Sequence, residues 1–115
     1  MYAVSAAEFD DLVAQALDGL PPELASLMDN VAIFVEDELD NEPELLGLYE
    51  GIPLTERDSS YLLAMPDRIT IFRLPTLRVS DDAEEVRRQV RITVVHEIAH
   101  HFGIDDERLH DLGYA

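Results

Sequence analysis

Five consecutive residues, His96, Glu97, Ile98, Ala99 and His100, combine two imidazoles and a carboxylate in an HExxH pattern. Residues four apart on a helix project from one face about a turn apart, so both imidazoles can reach a single metal ion. Glu97 lies beside them, close enough to hold a water on that metal. Two histidines are half of a tetrahedral site, and a catalytic zinc usually takes three protein ligands plus a water. The third ligand must come from the residues after His100 or fold back from upstream.

Downstream the chain reads His101, Phe102, Gly103, Ile104, Asp105, Asp106, Glu107. In the longer pattern HExxHxxGxxH, glycine lets the backbone leave the helix abruptly and returns the residue three positions later to the metal. Gly103 stands at that glycine, and Asp106 stands three beyond it. Carboxylate oxygen is an acceptable zinc ligand, so the expected set is His96, His100 and Asp106. Asp105, Glu107 and His110 compete for the third place. His101 is rotated about 100° from the metal face and reads as a packing or surface residue.

These side chains need a scaffold. Val86, Val90, Val94 and Ile98 recur at helical spacing, which predicts a long helix opening at Ser80 or Asp81, pairing Glu84 with Arg88 and ending at Gly103. Upstream, Ser5 and Glu8 form a capping box for a first helix with Phe9, Leu12, Val13, Ala16, Leu17 and Leu20 on one face. Gly19, Pro21 and Pro22 stop it, and Pro22 can open a short second helix. Residues 31–35, VAIFV, suit a strand buried on both faces, and the following acids, from Glu36 to Glu44, read as a solvated loop. A brief strand is expected near 46–49 and a polar loop over 53–60. Tyr61 to Met65 and Arg68 to Leu74 read as a hairpin turning at Pro66 and Asp67, with Pro75 ending its second arm. No repeat or linker divides the chain, so a single α+β domain over 1–115 is expected.

The chain has 115 residues, 25 Asp and Glu against 8 Lys and Arg, a formal charge of −17 and no cysteine. Residues 1–50 hold 13 of the acids and no base, while every base is an arginine in the remainder. Without cysteine, disulfide scaffolds and thiolate metal sites are excluded. A charge of −17 opposes binding to nucleic acid and anionic lipid. The N-terminal residues lack a signal-peptide pattern and no apolar run reaches membrane-spanning length, so a cytoplasmic protein is expected.

The chain resembles the zincin-like metallopeptidase family, sometimes called minimal zincins, which are small acidic bacterial proteins. The resemblance runs from the first helix and its LPP ending through NVAIFVE, GLYEGIPLT and PDRITIFR to VHEIAHHFGIDD. It implies a mixed sheet of three to four strands packed on an active-site helix and an N-terminal helix. It also implies Zn2+ held by His96, His100 and Asp106, with Glu97 as general base. The methionine turn of larger metzincins is absent, because no methionine follows residue 65.

The expected reaction is hydrolysis of a peptide or protein substrate, with Glu97 moving the proton from water to the leaving amine. A peptide can add to an exposed strand edge beside the helix, and the acidic surface favours basic substrates. Tyr49 and Tyr114 read as packing residues, and Arg87, Arg88 and Arg91 as surface pairing on the helix, not as a substrate site. One alternative is a metal-binding but non-catalytic protein-interaction domain. Another, a metal-dependent nuclease, is opposed by the charge.

Overall fold

The computed structural model describes residues 2–29, 31–51, 67–111, 113 and 114. Helix α1 (Ala6–Asp18) starts where the Ser5 hydroxyl accepts the Glu8 N–H, as the capping box predicts, and buries Phe9, Leu12, Val13 and Ala16. Helix α2 (Pro22–Ser26) opens on proline and buries Leu24. Three strands follow, β1 (Val31–Glu36), β2 (Gly47–Glu50) and β3 (Asp67–Phe72), in the sheet order β1-β3-β2. β3 pairs in parallel with β1, Ile69 opposite Ile33, and antiparallel with β2, Ile69 opposite Tyr49. Helices α3 (Arg73–Arg78), α4 (Ala83–Phe102) and α5 (Asp106–Asp111) complete the described elements.

The mixed sheet of three strands, with helices α1 and α4 packed together, is the expected α+β arrangement. Its core joins Phe9, Leu12 and Ala16 of α1 to Ile69 and Ile71 of β3 and to Val86, Val90, Val94 and Ile98 of α4. Each fully buried Val, Leu, Ile or Phe contributes about 1.5–3 kcal/mol, so helix α4 is held by the same apolar face that the sequence periodicity marks. Among the described residues, no helix is long and apolar enough to cross a membrane.

Several expectations change. β1 is not buried on both faces: Phe34 is 44% exposed and carries Arg68 over its ring at 4.2 Å, and among the described residues β1 pairs on one side only. The central, buried strand is β3, which both neighbours cover. β3 ends at Phe72 and the chain turns straight into α3. Pro75 fits there because its missing N–H falls in the first turn, where none is required. The expected arm 61–65 lies outside the described residues, as does the loop 53–60. Asp82, rather than Ser80 or Asp81, caps α4, accepting the Glu85 N–H at 2.8 Å, while Ser80 is buried and donates to the Thr76 carbonyl. Arg88 pairs with Glu85 at i−3 instead of Glu84.

The acidic run after β1 has partners. Arg73 bonds Asp37 at 3.0 Å and Arg78 bonds Glu38 at 3.3 Å, so arginines from the second half of the chain tie down acids from the base-free first half. Exposed pairs of this kind each add at most about 1 kcal/mol, but together they fix the path leading into β2.

Candidate metal centre

Helix α4 places the HExxH residues on its last full turns. Val94, Val95, Ile98 and Ala99 are buried, while His96 and His100 are exposed and Glu97 is half-buried. The two imidazoles thus share the solvent-facing side of a helix whose opposite side is core. At Gly103 the backbone takes φ +70°, and the Ile104 N–H turns back to the Ala99 carbonyl at 2.9 Å. That left-handed conformation is costly for other residues and reverses the chain toward the histidines.

The reversal separates the candidate third ligands. Asp105 caps α5, its carboxylate accepting the Arg108 N–H at 2.8 Å. Asp106 lines a cavity of about 280 Å³ together with His96, His100, Ile104 and Leu109. Glu107 and His110 are exposed and do not line it. Among the described residues, no three His, Asp or Glu side chains are gathered as a ready-made metal site. The donor types nevertheless fit zinc: two imidazoles and a carboxylate open onto one cavity, backed by apolar Ile104 and Leu109.

Glu97 points toward the other side of His96, where both line a second cavity of about 320 Å³ with residues 44–47, Ile92 and Thr93. Burial pushes its carboxyl above the ordinary carboxylate range, against the opposing pull of His100, of the Tyr49 backbone N–H and of His96. A general base gains from such a shift, because its proton affinity moves nearer that of the groups it exchanges with at neutral pH.

Strand β2 runs beside α4 in the same direction. A Cβ on Gly47 would stand 2.4 Å from Thr93 Cγ2, the Tyr49 N–H reaches Glu97, and a Cβ on Gly51 would stand 3.1 Å from His101 Cε1. Two strand residues advance about 6.6 Å and four helix residues about 6 Å, so the two elements stay in step. Glycine at 47 is what permits this approach.

Behind the strand lies a cluster that sequence reasoning missed. The Tyr49 hydroxyl donates to Asp67 Oδ2 at 2.8 Å, His101 Nε2 lies 3.6 Å from the same oxygen, and the Tyr49 and His101 rings stack at 4.0 Å. Phe102 meets both rings edge-on. Asp67, read from the sequence as a turn residue, is 6% exposed. His101 and Tyr49 are packing residues as expected, and their polar atoms serve that buried carboxylate.

Comparison with known proteins comes to the same architecture. A family model described as zincin-like metallopeptidase matches residues 28–114. A solved structure of a conserved hypothetical protein from Thermus thermophilus superposes with a TM-score of 0.57 at 22% identity, covering 86% of this chain and 94% of that one. The likeness is one of fold. No curated protein matches the chain.

Proposed function

Because the chain belongs to the zincin-like metallopeptidase family, we propose that it is a zinc-dependent peptidase in which His96, His100 and Asp106 hold the metal and Glu97 is the general base. The observation that carries this reading is the placement of both histidines and Asp106 on one cavity, with Glu97 next to His96 on the same helix. When bound there, zinc would polarise the scissile carbonyl and acidify water.

The remaining work falls to residues of the chain. Glu97 accepts the proton of the attacking water and delivers it to the departing amine. Its raised proton affinity suits both transfers, and the Tyr49 N–H fixes one of its oxygens. β2 pairs with β3 on one side only among the described residues, which leaves an edge beside Glu97 to hold an extended substrate by main-chain hydrogen bonds. Substrates on this reading are peptides or proteins in the cytoplasm, and neither nucleic acid nor a membrane surface is a partner for so acidic a chain.

The test is metal analysis followed by activity. Purified protein should bind one zinc, and Glu97→Gln should keep the zinc while losing hydrolysis of a broad peptide library. A second reading, a metal-binding interaction module without turnover, is favoured by the lack of a ready-made three-ligand cluster among the described residues. Stoichiometric zinc with no cleavage of any library member by wild-type protein would decide for it.

A further inference from the structure

Cavities follow one another along α4. The one beside Glu97 shares Ile92 with a third, of about 310 Å³, lined by Pro21, Arg88, Arg91, Ile92, Gly113 and Tyr114. In a chain of −17 this is a concentration of positive charge. Arg88 is already engaged by Glu85 through two hydrogen bonds of 3.0 and 3.1 Å. Arg91 has no carboxylate partner among the described residues, and its guanidinium lies against the C-terminal end of α1, with Nη1 3.5 Å from the Cβ position of Gly19.

The direction of β2 gives this cavity a meaning. A peptide added antiparallel to β2, the more stable pairing, runs opposite to α4, so the residues after its scissile bond pass over Ile92 toward Arg91 and Arg88. Glu97 is six residues from Arg91 and nine from Arg88, or about 9 to 13.5 Å of helix. An extended peptide covers that distance in about three to four residues.

We propose that the Arg88–Arg91 cavity binds a substrate carboxylate three to four residues beyond the scissile bond, so that the protein selects peptides ending in a free carboxylate, or bearing an acidic side chain, at that distance. This deepens the peptidase reading and rests on it for the position of the scissile bond. Local charge decides at this end of the cleft, whereas the acidic surface at large favours basic residues elsewhere in the substrate. An Arg–carboxylate contact of this kind is charge-assisted and directional.

The experiment uses the full chain carrying Glu97→Gln, in zinc-containing buffer, and three octapeptide libraries with no Asp or Glu at their randomised positions. One library ends in a free carboxylate, one is amidated, and one is amidated with a single fixed Glu near its end. We expect about tenfold stronger retention of at least one carboxylate-bearing library over the plain amide. Preference for the first alone identifies the chain terminus as the source, and preference for the third identifies a side chain. Adding Arg91→Gln should abolish the ratio, while Arg87→Gln, whose guanidinium bonds Gln15 outside the cavity, should keep it. Equal retention of all three, or a ratio that survives Arg91→Gln, overturns the proposal. Hydrolysis by the wild type is scored separately: a preserved ratio without cleavage sinks the peptidase reading and leaves the carboxylate site standing, and cleavage without a ratio does the reverse.

Discussion

The backbone N–H of Tyr49 donates to the carboxylate of Glu97, which makes strand β2 part of the candidate site. The same residue sends its hydroxyl to buried Asp67 and stacks its ring on His101, next to His100. The Tyr49 side chain therefore ties β2, β3 and the end of α4 together, while its main chain holds Glu97.

Tyr49→Phe keeps the ring stack and the backbone bond but removes the donor to Asp67. Losing one of the hydrogen bonds to a buried carboxylate costs about 1.5–3 kcal/mol, so the denaturation midpoint should fall while the m-value stays constant. Zinc affinity should change little, because the phenol does not face the metal cavity. An unchanged midpoint would show that the hydrogen bond carries no net stability.

Close packing of β2 on α4 makes a second expectation. Gly47→Ala puts a methyl group 2.4 Å from Thr93 Cγ2, a contact that something must yield to relieve. Overpacking of this kind costs about 1–3 kcal/mol. Thr93→Ser removes Cγ2 and keeps the hydroxyl that donates to the Gln89 carbonyl. The double variant should therefore recover most of the loss, a coupling that urea denaturation of the four proteins measures. Simple additivity would reject the contact as the cause.

The pH dependence of stability carries a defined sign for Glu97. Burial raises its carboxyl above the ordinary value of 4.5, so the folded state holds this proton more tightly than the unfolded state. Its contribution is fully present below pH 4.5 and is lost as pH rises through the folded value. Glu97→Gln stays neutral and retains an acceptor for the Tyr49 N–H. In zinc-free protein it should be more stable than wild type at about pH 7 and equal to it near about pH 4, as thermal unfolding across that range will read. Greater wild-type stability at neutral pH would reverse the assignment.

How much of this can be read along the chain follows from the range of each interaction. The HExxH spacing, Gly103 and the Ser5 cap depend on residues within a turn of one another, and each stands where the sequence puts it. β1 and β3 are harder to rank, since both are apolar runs and only the strand order decides which is covered on two sides. Asp67 reads as a turn residue because its donor, Tyr49, is 18 positions away. Arg73 and Asp37 are 36 apart, so nothing local marks the acidic run as anchored. Pro75 misleads for the opposite reason, because proline both ends strands and enters the first turn of helices.

Local geometry also supplies the sharpest test of the metal set. Asp105 is engaged in capping α5, and Asn caps as well as Asp. Asp105→Asn should therefore leave zinc affinity within about threefold of wild type. Asp106→Asn removes the charged oxygen donor from the cavity that His96 and His100 share, and its zinc affinity should fall by about a hundredfold or more. His110→Ala, outside that cavity, should behave like Asp105→Asn. Chelator competition on the four proteins measures all three ratios. A large loss in Asp105→Asn or His110→Ala with Asp106→Asn unaffected would transfer the third ligand to that residue and leave Asp106 as a solvent-facing acid at the start of α5.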